Sequence, residues 1–360
     1  MAAPLQFSQE ISQRLRPQRP PVPDGVRDGS AIADGPAGAT CAGGSCGRPG
    51  RTAGRGAWLR TGRRGRTSRR DRMRTVLSSP PSLVLLASFP KSGNTWMRCL
   101  LTAFLTGDPL SDLGSLAAPA MLSVRQQFDD HTGISSADLG LDAIDTLRPS
   151  FHRAVSEAME GPVFVKLHDR FYYNHAGDAV FAADAFRGVV HVVRHPCAVA
   201  VSYAHHLDCT IDRAIDLMAD EAAMHDWRPD SIATVIPQRI GSWSGHSASW
   251  QDQGEIPRLT LRYEDLLRDT EMHFASILEF AGEDADRARV ARAVEAARFE
   301  ALRSIEAAKG FHEKVTEGSF FRRGSANSWR DELSETQIER IVSDHGAMMA
   351  RFGYERQAVS

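Results

Sequence analysis

Residues that could bind an anion directly follow a short apolar run at residues 83–87. Lys91, Ser92, Gly93, Asn94 and Thr95 stand between this run and an amphipathic segment at residues 96–105. A strand, a polar loop and a helix in this order form an anion site, because loop amides and the helix N-terminus point at the anion. The loop lacks the G-x-x-x-x-G-K-S/T pattern of a Walker A motif. An ordinary strand-to-helix turn with a surface lysine is the alternative interpretation.

A lysine and a histidine stand at the end of a second short predicted strand, at residues 162–169. Lys166 and His168 would then lie at the carboxyl end of a strand, where open α/β sheets place their catalytic groups. A histidine has a near-neutral pKa that suits the removal of a hydroxyl proton. The sequence therefore predicts a general base at His168, and a histidine with a structural role is the alternative.

An arginine and a serine follow a third apolar run, at residues 188–193. Arg194 comes directly after the run, and Pro196 suits the first turn of a helix. Ser202 lies about two turns along that helix. One guanidinium and one hydroxyl could therefore contact the same phosphate. A strand capped by a surface arginine is the alternative.

These three stretches resemble the motifs of the cytosolic-type sulfotransferases. The sequence F-P-K-S-G-N-T-W at residues 89–96 is similar to the family's Y-P-K-S-G-T-T-W loop, with Asn94 where threonine or serine is usual. The K-L-H at residues 166–168 is similar to the family's K-T-H. Residues 193–203 are similar to V-R-N-P-x-D-V-A-V-S-Y, with His195 and Ala198 as replacements. Asn94 still offers a hydrogen-bond donor, so we expect the loop to keep its function.

Two further stretches extend the resemblance toward the C-terminus. Tyr263 matches the tyrosine of the family's R/F-Y-E-D-L element, which approaches the adenine. Arg322, Arg323 and Gly324 match the start of the R-K-G-x-x-G-x-W loop, which binds the 3′-phosphate. Asn327 replaces the second glycine of that loop, and asparagine is the residue that best tolerates positive φ.

The resemblance implies a reaction and a set of site residues. The reaction is in-line transfer of a sulfuryl group from 3′-phosphoadenosine 5′-phosphosulfate (PAPS) to a hydroxyl or amine, without a metal, releasing 3′,5′-diphosphoadenosine (PAP). His168 would take the acceptor proton, Lys91 would neutralise the leaving oxygen, and Lys166 would support the transferring group. The implied PAPS-binding residues are Lys91, Ser92, Gly93, Asn94, Thr95, Trp96, Arg194, Ser202, Tyr263, Arg322, Arg323 and Gly324, with Trp96 stacked on adenine.

Two other functions remain possible on these residues. An ATP-dependent kinase on a related fold is disfavoured, because the chain lacks the Walker lysine position and a clear acidic Mg²⁺ motif. A non-catalytic protein that keeps a nucleotide pocket is disfavoured by the presence of both Lys91 and His168. The acceptor is not readable from the sequence, so a small hydroxylated metabolite, a glycan and a peptide stay open.

The pattern of strands and helices that must position these residues indicates a single α/β domain. The resemblance implies a central parallel sheet flanked by helices, related to the P-loop kinases. We expect strands at residues 83–87, 162–169, 188–193 and 258–262, and an irregular segment at 106–134 whose residues 126–131 either line a substrate mouth or form a polar loop. Helices are expected at residues 96–105, 142–160, 196–203, 211–227, 232–251 and 334–352. Trp243 and Trp250, seven apart on one helical face, are expected in the core.

The first part of the chain has a different composition. Residues 1–74 carry 15 arginines, no lysine and 5 acidic residues, a balance of +10, and the remainder carries −12. With 12 glycines and 7 prolines, the same segment cannot bury enough apolar surface to offset its chain entropy. We therefore expect a disordered tail at residues 1–78 and a sulfotransferase domain at 79–360. The basic residues 60–74 could bind nucleic acid or anionic lipid, but a solvated tail, or sequence upstream of a true start at Met73, is favoured.

Composition also bears on the cellular compartment and the binding partners of the protein. Its 5 cysteines show no zinc-site spacing, which favours free thiols in a reducing compartment. No apolar run approaches the ~20 residues needed to span a bilayer, and the first residues do not resemble a secretory signal. We expect a cytoplasmic protein that binds no nucleic acid. The acidic balance of residues 75–360 weakly disfavours heparin-like polyanions as acceptors. The oligomeric state is not readable.

Overall fold

The structure, a computed structural model, describes residues 80–225, 232–313 and 318–354. Two compact units divide the chain, and every described residue belongs to the unit that contains residues 80–360. The tail expected at residues 1–78 lies outside the described residues, as do Met73, Cys41 and Cys46. The domain boundary therefore stays a prediction.

Four parallel strands form the sheet that carries the site. They are β1 (Leu83–Ala87), β2 (Val163–Leu167), β3 (Phe186–Val193) and β6 (Arg258–Arg262), paired in the order β2-β1-β3-β6. A separate antiparallel pair consists of β4 (Met224–His225) and β5 (Gln238–Arg239). All five residues of β1 are buried, as expected for a strand that is covered on both faces. The predicted central parallel sheet and its four strands are confirmed.

Helices cover both faces of this sheet. Alternate residues of β1 point to opposite sides: Val84 and Leu86 pack in one apolar cluster, and Leu83 and Leu85 pack in another. The described helices are α1 (Asn94–Thr106), α2 (Arg125–Thr132), α3 (Leu141–Glu157), α4 (Pro196–Leu207), α5 (Ile211–Ala219), α6 (Trp243–Asp252), α7 (Tyr263–Arg268), α8 (Thr270–Ala281), α9 (Arg287–Ala296), α10 (Phe299–Lys309) and α11 (Glu335–Arg351). Trp243 and Trp250 are fully buried, so their predicted place in the core is confirmed.

Two predicted helices are shorter than their apolar pattern suggested. α5 ends at Ala219 because Asp220 leaves the helical conformation and its carboxylate accepts a hydrogen bond from the Ala222 amide at 2.8 Å. α6 begins only at Trp243, since Gly241 has a φ of +68° and Ser242 caps the helix. The predictions of helices over 211–227 and 232–251 were therefore wrong at these ends. Residues 226–231 lie outside the described residues.

The segment expected to be irregular contains a helix. α2 spans Arg125–Thr132, and its first residue is tied to the chain before β5. The Arg125 guanidinium donates to the carbonyl oxygens of Ala233 and Val235 at 2.7 and 3.2 Å. These long-range bonds help to hold a helix whose own composition is mostly polar, and no local pattern could have indicated them.

Candidate active site

The carboxyl ends of the four parallel strands open into one cavity of about 720 Å³. β1 leads into the predicted anion loop, β2 ends beside His168, β3 ends at Arg194, and β6 ends at Tyr263. Parallel sheets collect functional side chains at this edge for a topological reason. The predicted site residues that line the cavity are Lys91, Gly93, Asn94, Thr95, Trp96, Lys166, His168, Arg194, Ser202, Tyr263, Arg322, Arg323 and Gly324.

Ser92 is the predicted site residue that does not line this cavity. Its side chain is fully buried, and its amide donates to the carbonyl oxygen of Phe89 at 3.2 Å. Its hydroxyl has no hydrogen-bond partner among the described atoms. The side chain of Ser92 is thus closed off from the cavity by the turn, and its contact with a bound anion stays a prediction.

Asn94 lines the cavity, but its amide group faces the sheet. Nδ2 donates to the carbonyl oxygen of Leu86 at 2.9 Å and to the hydroxyl of Ser88 at 3.3 Å. The expected side-chain donor is therefore already used to join the end of β1 to the start of α1. What Asn94 can offer an anion is its backbone N–H, since the first amides of a helix have no intrahelical partner.

Two residues of the loop have positive φ. Lys91 has a φ of 68° and Gly93 has a φ of 107°. A Cβ on Gly93 would lie 2.6 Å from Cδ2 of Tyr263. Gly93 is therefore needed both for the turn and for the close approach of Tyr263, a role that the sequence did not indicate. The strained Lys91 backbone is a feature that functional loops often carry.

The Lys91 ammonium lies in a strongly cationic part of the cavity. Its Nζ stands 4.1 Å from the centroid of the Phe320 ring, within range of a cation–π interaction. Burial lowers the pKa of Lys91 to about 7, and repulsion from Arg194 and Lys166 adds to the effect. An anion among these cations would raise that pKa, which is the electrostatic signature of an anion site.

His168 is held in one tautomer by the backbone. Its Nδ1 lies 2.8 Å from the carbonyl oxygen of Ser88, which can only accept, so Nδ1 carries the proton and Nε2 carries the lone pair. Burial, followed by the charges of Lys166 and His225, holds the pKa of His168 well below 6.5. The imidazole is therefore neutral near pH 7 and able to accept a proton at Nε2.

Lys166 pairs with a carboxylate that the sequence did not reveal. Its Nζ lies 3.1 Å from Oε2 of Glu313, and Oε1 of the same carboxylate lies 2.6 Å from Nη1 of Arg98. Although burial opposes ionisation, the two cations lower the pKa of Glu313 to about 2. Glu313 also lines the cavity, but it stands outside every recognisable motif.

Arg194 connects the two halves of the predicted anion site. Its Nη1 donates to the carbonyl oxygen of Lys91 at 3.0 Å, and its guanidinium carbon lies 4.6 Å from the centre of the Tyr263 ring. Its buried Nε has no partner among the described atoms, so one donor is available for a ligand. Ser202, on the helix that follows, lines the same cavity, as the spacing predicted.

The two arginines of the C-terminal loop are paired with a carboxylate. Arg322 makes a bidentate contact with Glu332 at 3.1 and 3.2 Å, and Arg323 lies 3.6 Å from the same group. Gly324 has a φ of +62° and packs against the ring of Phe299. Asn327 has a φ of −108°, so the expectation that it imitates a glycine at positive φ was wrong.

Aromatic side chains line the cavity beside the first turn of α1. Trp96 and Tyr263 meet edge to face with ring centres 5.7 Å apart. The indole Nε1 of Trp96 donates to the carbonyl oxygen of Ala297 at 3.0 Å, which fixes the ring orientation. Phe299 lines the cavity as well, although no motif indicated it. This apolar end could accommodate a flat heterocycle.

Other histidines are distributed unequally around the cavity. His206, His225 and His312 line it, and burial lowers the pKa of His206 to about 4. Neither His131 nor His205 is among the lining residues, and the polar residues 126–131 of α2 do not line it either. Of the two interpretations left open for residues 126–131, neither a lining of this cavity nor a polar loop is observed, since these residues belong to α2.

The described ranges contain neither a metal-binding cluster nor a membrane-spanning helix. Within residues 80–225, 232–313 and 318–354, no group of three or more His, Cys, Asp or Glu side chains could hold a metal ion. No helix in these ranges has both the length and the apolar character required to cross a membrane. Cys99, Cys197 and Cys209 are free thiols, as expected.

Known proteins show similar sequences and structures. A flavonol 3-sulfotransferase of Flaveria bidentis is 24% identical over 274 residues, which cover 72% of this chain and 80% of that protein. A luciferin sulfotransferase of Photinus pyralis is 24% identical and covers 71% of this chain and 68% of that protein. The crystal structure of retinol dehydratase with androsterone and PAP aligns with a TM-score of 0.48 at 18% identity, covering 75% of this chain and 81% of that one.

The family assignment rests on most of the described chain. Residues 81–353 match the family described as "Sulfotransferase domain", and this range contains every motif on which the resemblance was based. The chain therefore belongs to the sulfotransferase domain family.

Proposed function

We propose that this cytoplasmic enzyme transfers a sulfuryl group from PAPS to a hydroxyl or amine of a small-molecule acceptor, with His168 as the general base. The observation that carries the proposal is the convergence of Lys91, Lys166, His168 and Arg194 on one cavity at the carboxyl edge of the sheet. Relatives act on small molecules such as a flavonol and luciferin, according to their names. Glycan and peptide acceptors stay open.

The residues of the cavity fit a polyanionic nucleotide. Among the described residues, five cationic side chains line it, and one of them, Arg194, has a buried donor without a described partner. The start of α1 and Lys91 would hold the 5′-phosphosulfate. Trp96, Tyr263 and Phe299 would enclose the adenine. The remaining contacts would fix the 3′-phosphate; their residues are Arg194, Ser202, Arg322, Arg323 and Gly324.

The chain's own residues would supply positioning, charge and one proton acceptor. PAPS, when bound, supplies the sulfuryl group and leaves as PAP. His168 would accept the acceptor's proton at Nε2, because Nδ1–H is held by Ser88. Lys91 would offset negative charge on the oxygen that links the phosphate to the sulfuryl group, and Lys166 would hold the group during transfer. Such reactions depend on orientation and electrostatics more than on covalent chemistry.

The rival functions make different demands on this site. A kinase would need a metal-binding acidic group at the phosphates, whereas cationic side chains predominate around Lys91 in the described part of the cavity. A protein that only binds nucleotide would have no use for a neutral imidazole fixed at the strand end. Family membership and these two features both favour the transferase.

The deciding experiment separates donor use from nucleotide binding. Thermal shift with PAP and with ATP is measured first, followed by PAP release from PAPS in the presence of phenols, amines, glycans and peptides. We expect stabilisation by PAP well above that by ATP, and release of PAP that depends on an acceptor and is lost in His168→Ala. Equal stabilisation by both nucleotides, or acceptor-independent release, would contradict the proposal.

A further inference from the structure

A chain of alternating charges runs from helix α1 to the end of strand β2. Arg98 of α1 lies 2.6 Å from Glu313, and Glu313 lies 3.1 Å from the ammonium of Lys166. The three residues come from separate elements, since Glu313 follows helix α10 and stands 147 residues after Lys166. No motif indicated this connection, and it ends at Lys166, which lines the cavity.

The carboxylate of Glu313 is firmly anchored on the side away from the cavity. Arg98 is 5% exposed, and its Nε donates to the carbonyl oxygen of Ala117 at 3.0 Å. Arg98 therefore has a fixed guanidinium, and its short contact with Glu313 holds the carboxylate in turn. Charge-assisted hydrogen bonds of this kind are the strong ones in proteins.

We propose that Glu313 is a positioning residue. It holds the Lys166 ammonium beside the place where the transferred sulfuryl group must lie. The inference rests on the proposed function of the cavity. A lysine has a flexible four-carbon stem and three donors, so its charge is placed only when another group restrains it. Glu313 accepts from this ammonium on the side of Arg98, and Lys166 also lines the cavity in which the sulfuryl group would lie.

A competing effect has the opposite sign. A carboxylate near an anion site repels the ligand through the Coulomb interaction. If Glu313 only competes with the donor for Lys166, its removal strengthens donor binding. If Glu313 positions Lys166, its removal weakens the contact with the sulfuryl group.

The ratio of two dissociation constants separates these effects. At pH 8 the 5′-phosphate of PAP carries about two charges, because its second pKa is near 6, and the phosphosulfate of PAPS also carries two. Long-range electrostatics therefore acts almost equally on both ligands. The ratio of the Kd of PAP to the Kd of PAPS reports contacts to the sulfuryl group, which only PAPS contains.

The test measures this ratio by calorimetry at pH 8 for the full chain and four variants. Glu313→Gln should lower the ratio roughly 3- to 10-fold, part of the worth of one charge-assisted bond. Lys166→Met should lower it at least as much. The ratio for the double variant should be no lower than the ratio for Lys166→Met, because the two side chains act as one unit. Glu332→Gln is the matched control, since its carboxylate pairs with Arg322 and Arg323 and should leave the ratio unchanged.

Each outcome has a definite meaning. An unchanged or increased ratio in Glu313→Gln, or an equal decrease in Glu332→Gln, overturns the inference while the proposed function stands. A wild-type protein with equal affinity for both ligands also overturns it, because no sulfuryl contact then exists to be positioned. Failure of the wild type to bind PAP at all refutes the proposed function itself. If Glu313→Gln does not fold, Glu313→Asp replaces it and should give a smaller decrease in the same direction.

Discussion

The Arg194 side chain donates a hydrogen bond from Nη1 to the backbone carbonyl oxygen of Lys91 at 3.0 Å. The arginine expected at the 3′-phosphate therefore also holds the loop expected at the 5′-phosphosulfate. Two motifs that are 103 residues apart in the sequence share one guanidinium, and a change at Arg194 must affect both ends of the nucleotide site.

Arg194→Ala should weaken PAP binding by about 1.5–3 kcal/mol, the usual worth of a charge-assisted hydrogen bond. Adenosine 5′-phosphate should also bind more weakly, although by less, because the Lys91 loop loses its support. Ser202→Ala is the control. It should weaken the binding of PAP by about 0.5–1.5 kcal/mol and leave the binding of adenosine 5′-phosphate unchanged. Calorimetry with both ligands checks the prediction. Full-strength binding of adenosine 5′-phosphate to Arg194→Ala would show that the loop does not need this contact.

His168→Ala should lower the rate of PAP formation by roughly 10²–10⁴, the usual contribution of a positioned proton acceptor. PAP affinity should stay nearly constant, because the imidazole faces the acceptor rather than the nucleotide. His131→Ala is the matched control, since His131 lies outside the cavity lining. A folded His168→Ala enzyme with a near wild-type rate would remove His168 from the mechanism and make His206 the next candidate.

Binding of PAP at pH 8 should take up roughly 0.7–0.9 proton at Lys91. Burial and neighbouring cations lower the pKa of this ammonium to about 7, so it is mostly neutral at pH 8 in the free protein. Bound phosphate raises the pKa again and draws in a proton. Calorimetry in buffers of different ionisation enthalpy measures the uptake. Lys91→Arg should abolish it, because a guanidinium keeps its charge, and equal uptake in this variant would assign the proton to another group.

The free energy of unfolding should fall as the pH drops from 6.5 toward 4. Burial lowers the pKa of His246 to about 3 and the pKa values of His195 and His345 to about 4. The unfolded chain binds protons below its ordinary histidine pKa of about 6.5, and the folded chain does not, so acid favours unfolding. By pH 5, each such histidine should lower the free energy of unfolding by about 1–2 kcal/mol.

Urea unfolding at pH 7.5 and pH 5 measures this acid sensitivity. His345→Gln removes one titrating group and should reduce the difference between the two pH values. His175 is an exposed histidine on a loop, so His175→Gln serves as the control and should leave the difference unchanged. Equal stability of the wild type at both pH values would contradict the prediction.

Gly93→Ala should destabilise the protein by about 2–4 kcal/mol, from the cost of a positive φ and a steric clash. Its φ is 107°, and the new Cβ would lie 2.6 Å from the Tyr263 ring. Gly107→Ala is the matched control, since Gly107 has a φ of 74° with open space around it. It should cost only the backbone part, about 1 kcal/mol. Equal losses in urea unfolding would show that Tyr263 can move aside without cost.

The elements of the sheet and the identity of the main site residues followed from local pattern. Short stretches rich in apolar residues, each followed by polar side chains, predicted β1, β2 and β3, because a buried parallel strand needs apolar side chains. Residues 258–262 were expected as the fourth strand, β6. The spacing of Lys91, His168 and Arg194 after these runs predicted their meeting, since parallel strands end at one edge of a sheet. The resemblance to sulfotransferases added the roles of these residues.

Tertiary structure alone decided which atoms of the site are available. Ser92 points into the core and Asn94 donates to Leu86, although both stand in the recognised loop. Glu313 pairs with Lys166 and Glu332 pairs with Arg322, although neither glutamate belongs to a motif recognised in the sequence. A motif records residue type and spacing along the chain, whereas hydrogen bonds and ion pairs form between surfaces that only folding brings into contact. That is why the sequence indicated the anion site, and only the structure revealed the carboxylates that restrain its cations.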